Sequence, residues 1–130
     1  MSSIFTQILS GEIPCHKIME DDKYFSFMEI KPINPGHALV IPKQEIDYIF
    51  DMEDSLLTGL TLFAKKVACA VQKTVPCKKI GIVVYGLEVR HAHIHLIPIH
   101  GTPNELNFGN AKMADPSSLA ILAEAIRKNL

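Results

Sequence analysis

Apolar side chains recur at helical spacing in the middle of the chain. From residue 53 to residue 73 they return every three or four positions, which is the spacing of one face of an amphipathic helix. The apolar positions are Leu56, Leu60, Phe63, Val67 and Val71. We predict a long helix there, with Asp51 as its cap. Two shorter helices are predicted over residues 3–9 and 116–128, the second with Asp115 at its N-cap and Pro116 in its first turn.

Shorter apolar runs between turn-forming residues predict five strands. They cover residues 17–20, 24–29, 37–42, 79–85 and 89–99. Residues 31–36 hold two prolines, an asparagine and a glycine, and they separate the second strand from the third. Strands in a meander with one long helix between them predict an α+β domain, built on a mainly antiparallel sheet of about five strands. The long central helix and the C-terminal helix are expected to cover one face of this sheet.

The composition describes one compact domain. The 130 residues are 48% hydrophobic and 21% charged, which is enough apolar side chain to close a core. No repeat or polar linker divides the chain, so residues 1–130 are predicted to form a single domain. Thirteen Lys and Arg against fourteen Asp and Glu give a formal net charge of −1. This balance lacks the broad basic face of a nucleic-acid or membrane-surface binder, so we expect a small ligand at a local site.

The chain carries the sequence features of a cytoplasmic protein. Residues 1–10 contain no basic leader followed by an apolar run, and no stretch approaches the roughly 18 apolar residues of a membrane span. The cysteines Cys15, Cys69 and Cys77 are odd in number and lack C-x-x-C spacing. This pattern disfavours a disulfide framework and a cysteine-built zinc site. A cytoplasmic location is therefore expected.

Histidines crowd into the last predicted strand. Residues 91–97 read His-Ala-His-Ile-His-Leu-Ile, so polar and apolar side chains alternate. In a strand this alternation places His91, His93 and His95 on one face and directs the intervening apolar side chains toward the core. On a helix the same spacing would scatter the imidazoles around the axis, so the strand interpretation is favoured.

Three interpretations of this histidine strand are open from the residues alone. An exposed strand face normally mixes Thr, Lys and Glu rather than repeating His. A metal site is disfavoured because His91 and His95 lie roughly 13 Å apart along a regular strand, and no motif supplies an obvious third ligand. The third interpretation is imidazole catalysis. A neutral ring is a nucleophile near pH 7 and a protonated neighbour is a donor, which suits transfer at a phosphorus centre.

The segment 91–97 matches the His-φ-His-φ-His-φ-φ signature of the histidine triad superfamily of nucleotide hydrolases and transferases, where φ is an apolar residue. Further landmarks fall in order along residues 3–99. They are Ile4-Phe5, Gly11-Glu12-Ile13-Pro14, Glu20-Asp21-Asp22, Lys31-Pro32 and Gly36-His37-Ala38-Leu39-Val40-Ile41-Pro42-Lys43. The chain resembles the bacterial type of the branch that hydrolyses nucleoside phosphoramidates.

The resemblance implies a set of catalytic roles. His93, the middle histidine, would attack the α-phosphorus of a nucleoside monophosphate ester or amide and form a nucleotidyl-histidine intermediate. His95 would assist the leaving group, while His91 and His37 together would orient the rings and relay protons. The mechanism implied needs no metal or cofactor, and the family works as a homodimer.

The resemblance also implies a purine nucleotide site. Its apolar lining would be Ile4, Phe5, Ile8, Ile13, Phe27 and Ile30. Glu29 takes the place of the family's ribose-binding Asp, and Leu87-Glu88 replaces the polar pair that contacts the phosphate and the leaving group. A carboxylate near a phosphate opposes binding, so Glu88 points away, carries a proton or meets a cationic leaving amine.

Other departures from the family concern a zinc site and the alternatives to catalysis. Ser3 and Thr6 stand where some bacterial relatives have a zinc-binding Cys-x-x-Cys, and Glu45 replaces the family's second histidine. The main alternative function is a nucleotide-binding or scaffold protein with weak turnover. A histidine-based metal-binding protein is the less favoured alternative.

Overall fold

Five strands form one antiparallel sheet, as the apolar runs predict, and the fifth strand along the chain lies between the third and the fourth. The structure is a computed structural model that describes residues 2–130. Met1, included in the predicted domain and in the leader prediction, lies outside the described residues. The strands are β1 (Lys17–Glu20), β2 (Tyr24–Met28), β3 (Ala38–Pro42), β4 (Lys79–Val83) and β5 (Ile94–Ile99). The helices are α1 (Ile4–Leu9), α2 (Asp54–Thr74) and α3 (Pro116–Arg127), with short 3-10 turns at Ile49–Asp51 and Phe108–Asn110.

The helices α2 and α3 cover one face of the sheet, which confirms the predicted α+β architecture. Buried side chains of α2 and α3 pack in one core with alternate residues of the strands, among them Val40 of β3 and Leu96 of β5. The second face carries a smaller cluster in which Phe5 of α1 meets Phe27 and Leu39. Because both faces are covered, β2 and β3 are buried along their whole length.

The predicted strand over residues 89–99 is too long, because β5 begins only at Ile94. The pairing of β3 with β5 stops at Val40 and Ile94. Beyond that point the Pro42 carbonyl accepts a hydrogen bond from the His91 ring, and Ala92 N–H donates to the Ile46 carbonyl at 2.6 Å. The chain before Ile94 is therefore tied to the loop after β3 rather than to the sheet ladder.

Two other boundaries differ from the prediction. Asp51 does not cap α2, because it lies in the preceding 3-10 turn and Glu53 occupies the N-cap position without a side-chain hydrogen bond. The strand predicted over residues 79–85 ends at Val83, before the turn at Gly86, where φ is +72°. By contrast, Asp115 accepts a hydrogen bond from Ser118 N–H and caps α3 as predicted.

Candidate active site

A pocket of about 380 Å³ opens on the sheet face that carries the α1 cluster. All eight residues predicted to bind nucleotide line it. They are Ile4, Phe5, Ile8, Ile13, Phe27, Glu29, Ile30 and Glu88. His93 and His95 contribute to the same lining. The pocket therefore joins an apolar compartment to two imidazoles.

Phe5 connects the apolar compartment to the histidines. Its ring stands edge-on to Phe27 at a centroid distance of 5.5 Å and edge-on to the His93 ring at 4.9 Å. Phe5 is buried and lies in α1, which has only six residues. Ser3 caps this short helix by accepting a hydrogen bond from Thr6 N–H, which stabilises the turn that carries Phe5. The position of α1 thus sets one wall of the pocket and one contact of His93.

The His93 ring presents a free lone pair. Its Nδ1 lies 2.7 Å from the backbone carbonyl oxygen of His91. A carbonyl oxygen only accepts, so the hydrogen must be on Nδ1, and Nε2 keeps its lone pair when the ring is neutral. Burial lowers the pKa of His93, which favours this neutral form at pH 7. Nε2 is thus the nucleophilic nitrogen that this ring can offer.

The His95 ring carries its hydrogen on Nε2 rather than on Nδ1, because His37 donates a hydrogen bond to its Nδ1. Ile33 N–H donates to His37 Nδ1 at 3.0 Å, so the His37 hydrogen is on Nε2. His37 Nε2–H donates in turn to His95 Nδ1 at 2.9 Å. His95 therefore carries its own hydrogen on Nε2. Burial lowers the pKa of His37 to about 4 and that of His95 to about 3, so the pair is neutral near pH 7.

His91 is buried and is not part of the pocket lining. Its Nε2–H donates to the Pro42 carbonyl at 2.7 Å, so its Nδ1 accepts the hydroxyl hydrogen of Ser3 at 2.9 Å. The sequence grouped His91 with His37 as one relay, but the hydrogen bonds place His37 against His95. The four histidines therefore form two pairs, in which His91 supports His93 and His37 supports His95.

Two carboxylates line the pocket. Burial raises the pKa of Glu29 to about 7, and the charge of Glu88 adds to this shift. Lys31 lies on the same lining and opposes it. Glu88 also lines the neighbouring hollow formed with Tyr85, Asn104 and Phe108. Glu88 therefore lies where this pocket meets a second depression.

Sequence reasoning missed two aromatic residues and one hydroxyl at this site. Phe108 stands edge-on to His95 at 4.9 Å and stacks on Tyr85 at 5.8 Å with an interplanar angle of 18°. Phe108 is the one aromatic residue in the polar segment 100–115, a signal that could have identified it. The Ser3 hydroxyl carried no comparable signal, because a serine before a short helix is explained by capping alone.

Two further properties concern metals and membranes. Across residues 2–130, no set of three or more His, Cys, Asp or Glu side chains is arranged to hold a metal ion. No helix in the described part of the chain has the length and apolar character needed to cross a bilayer.

The fold and the site define a small α+β domain with a histidine-lined ligand pocket. The family model of the HIT domain matches residues 10–102. The chain therefore belongs to the HIT family, and the resemblance to the histidine triad superfamily is confirmed.

Three relatives illustrate the range of similarity. A HIT-like protein of Methanocaldococcus jannaschii is 36% identical over 124 residues, covering 86% of this chain and 91% of its own. The adenosine 5′-monophosphoramidase of Schizosaccharomyces pombe is 35% identical over 107 residues, covering 81% and 77%. The crystal structure of a HIT-like protein involved in cell-cycle regulation from Bartonella henselae superposes with a TM-score of 0.89, at 30% identity over 99% of this chain and 96% of that one.

Proposed function

We propose that this protein hydrolyses a purine nucleoside phosphoramidate, or a related nucleotide, at the α-phosphorus and releases the nucleoside monophosphate. The observation that carries the proposal is that two adjacent imidazole rings hold their hydrogens on different nitrogens. His93 offers a lone pair on Nε2, and His95 offers a hydrogen on Nε2, with ring centroids 4.9 Å apart. A nucleophile beside a hydrogen-bond donor is the arrangement that displacement at phosphorus requires. The monophosphoramidase activity named for the Schizosaccharomyces pombe relative supports the same substrate class.

The reaction takes two balanced steps. In the first, His93 Nε2 bonds to the α-phosphorus and the bond from phosphorus to the leaving nitrogen breaks. The departing nitrogen accepts the hydrogen bond from His95 Nε2–H and takes up one proton from solvent, because the neutral His95 ring keeps its own hydrogen. In the second, water adds to phosphorus, the Nε2–phosphorus bond breaks and one proton is released. The His91 carbonyl holds Nδ1–H of His93 throughout, which stabilises the positive charge on the phosphorylated ring.

The apolar compartment is suited to the base of the nucleotide. The whole pocket has a volume of about 380 Å³, which falls among pockets that bind small ligands. Phe5 and Phe27 supply aromatic surface against which a purine can pack. Glu29, half-buried at the edge of this compartment, would accept the ribose hydroxyls in its ionised form. These contacts support a purine nucleotide as the partner of the pocket.

The test is trapping of the intermediate. Adenosine 5′-phosphoramidate is mixed with the protein, and the reaction is stopped with an alkaline denaturant, because a histidine nitrogen–phosphorus bond is labile in acid. The peptides are then analysed by mass spectrometry. We expect an adenylyl group on the peptide that contains His93 and on no other peptide. His93→Ala should abolish both the adduct and the turnover, whereas Ser10→Ala, an exposed hydroxyl at the far end of α1, should leave both intact. Full activity in His93→Ala would refute the proposal.

A binding protein with weak turnover is the second candidate, and Glu88 is the observation that favours it. Its charge lies on the lining of the pocket that would receive an anionic phosphate. Calorimetry with adenosine monophosphate, run beside the turnover assay on a panel of adenosine and guanosine phosphoramidates, separates the two functions. Binding without turnover of any substrate in the panel would support this candidate.

We also propose that the protein works as a homodimer in the cytoplasm. β4 is an edge strand of the sheet, and its Ile82 side chain is 60% exposed. An edge strand with exposed apolar side chains is suited to pairing with a second copy. The cysteines Cys15, Cys69 and Cys77 are free, as expected in a reducing compartment. Sedimentation equilibrium tests the dimer and cell fractionation tests the location. A monomer at micromolar concentration, or recovery outside the cytoplasmic fraction, would contradict the respective part.

A further inference from the structure

We propose that Ser3 and Glu45 are positioning residues for His91 and His93. In this arrangement Glu45 fixes the beginning of α1, and the Ser3 hydroxyl then holds the His91 ring, whose residue orients His93 through its backbone carbonyl. The kinetic part of this inference rests on the function proposed above. The structural part, which concerns hydrogen positions on the rings, stands without it.

Glu45 ties the beginning of α1 to the loop after β3. Its Oε1 accepts the backbone N–H of Ser3 at 2.7 Å and the hydroxyl of Thr6 at 2.6 Å. These two hydrogen bonds lower the pKa of Glu45 to about 2, so the carboxylate is ionised throughout the neutral range. Hydrogen bonds to an ionised acceptor are stronger than those between neutral groups. The first turn of α1 is thereby held at a defined place beside the histidines.

Ser3 uses its two hydroxyl functions in different directions. The oxygen accepts Thr6 N–H at 3.0 Å and so caps the helix, while the hydrogen is directed to His91 Nδ1 at 2.9 Å. The Thr6 hydroxyl lies 3.2 Å away and is the competing acceptor for that hydrogen. The competition is decided at the other side of the ring, where the Pro42 carbonyl requires the hydrogen on His91 Nε2. Among residues 2–130, the Ser3 hydroxyl is then the one group that donates a hydrogen bond to His91 Nδ1.

The hydrogen bonds that hold the His91 ring also affect His93, through the backbone carbonyl of His91. Ser3 and Pro42 hold the His91 ring from both of its nitrogens, and the carbonyl of the same residue holds His93 Nδ1 at 2.7 Å. Phe5, two residues after Ser3, contacts both the His91 and the His93 rings edge-on, at 5.8 and 4.9 Å. The wall of the nucleotide pocket and the orientation of the nucleophile are therefore set by the same short helix.

Three substitutions at Ser3 separate capping from donation. Ser3→Thr keeps both functions. Ser3→Asp keeps the cap, since Asp caps helices as well as Ser, but an ionised carboxylate has no hydrogen to give. Ser3→Ala loses both functions. The matched control is Ser10→Ala, which removes a hydroxyl at the other end of α1 that bonds only the Gln7 carbonyl.

We expect kcat for adenosine 5′-phosphoramidate to fall by about 10- to 100-fold in Ser3→Asp and Ser3→Ala, the range that follows small misplacement of a reacting group. KM should change little in Ser3→Asp, which keeps the cap and therefore the Phe5 wall of the pocket, and should rise in Ser3→Ala, which loses the cap. Ser3→Thr should restore most of kcat, and Ser10→Ala should match the wild type. At Glu45, Glu45→Gln retains an acceptor oxygen and should lose less activity than Glu45→Ala. Wild-type kcat in Ser3→Asp, or no rescue by Ser3→Thr, would overturn the inference.

The hydrogen positions can be read without turnover. Long-range proton–nitrogen NMR spectra of the wild type should show His91 with its hydrogen on Nε2 and His93 with its hydrogen on Nδ1. In Ser3→Asp, His91 should carry hydrogens on both nitrogens at neutral pH, because a carboxylate now faces Nδ1. A different tautomer in the wild type, or an unchanged His91 spectrum in Ser3→Asp, would overturn the inference. These spectra test it even if the wild type hydrolyses no phosphoramidate.

Discussion

The buried pair formed by His37 and His95 predicts that the protein loses stability as the pH falls from 7 to 5. Burial lowers their pKa values to about 4 and about 3, from an ordinary value of about 6.5 in the unfolded chain. The native state therefore keeps both rings neutral, while the unfolded state takes up two protons. A group whose folded pKa is depressed in this way favours the folded state fully above the unfolded pKa, and this contribution is lost as the pH falls.

The size of the effect follows from the two pKa values. At pH 5 the unfolded rings are almost fully protonated and the folded rings almost fully neutral, so each histidine lowers the free energy of unfolding by about 2 kcal/mol relative to pH 8. The pair together accounts for about 4 kcal/mol, a large part of the stability of a typical domain. The loss begins near pH 6.5 and continues toward the folded pKa values. His91 and His93, whose pKa values burial also lowers, act in the same direction.

Urea unfolding followed by circular dichroism, repeated from about pH 8 to about pH 5, measures this loss. His37→Gln is the informative variant, because the amide can accept Ile33 N–H and donate to His95 but does not titrate. We expect its pH dependence to be smaller than that of the wild type by about 2 kcal/mol at pH 5. His100→Gln, at an exposed position, is the control and should follow the wild type. A free energy of unfolding that is constant between pH 7 and pH 5, or an unchanged slope in His37→Gln, would refute the reasoning.

Two further predictions concern a charge and a turn. Glu88→Gln should tighten the binding of adenosine monophosphate about fivefold in calorimetry. It removes an exposed negative charge from the pocket lining, and the repulsion between two charges about 4 Å apart in water is about 1 kcal/mol. Unchanged binding would contradict this prediction, and Glu124→Gln is the control. Gly36→Ala should lower the free energy of unfolding in urea by about 1–3 kcal/mol, since φ is +96° and the added Cβ would lie 3.0 Å from Val75 Cγ2. Gly11→Ala, where φ is +86° and nothing lies within 4 Å, isolates the backbone part; an equal loss in both variants would show that the contact with Val75 has no effect.

Local patterns were enough to predict the elements of the fold. The apolar spacing of α2, the cap at Asp115 and the turn at residues 31–36 are decided by residues close to one another in the chain. The alternation of residues 91–97 also predicted correctly that Ala92, Ile94 and Leu96 face the core. It could not show that the ladder stops at Ile94, because the cause is the carbonyl of Pro42, which is distant in sequence.

For the site as well, some residues could be predicted from the sequence while contacts between distant residues could not. The resemblance to the histidine triad superfamily named the eight pocket residues that the structure places on one lining. The resemblance gave His37 a role in orienting the rings and relaying protons, but it could not name the ring that His37 contacts, because that depends on where its Nε2 lies in the folded chain. The Ile33 N–H that fixes the His37 tautomer and the Phe108 ring beside His95 likewise result from the path of loops rather than from sequence pattern.

Three of the hydrogen bonds that hold the imidazoles join distant parts of the chain. They span 88 residues between Ser3 and His91, 58 between His37 and His95, and 49 between Pro42 and His91. Closing loops of this length is slow, and such contacts form late relative to helices. A partly folded molecule can therefore contain α2 and α3 and still have imidazoles that titrate as in a free peptide. The protonation state of these rings is thus a marker of completed folding, because their hydrogen-bond partners are in place only when the last strands have paired.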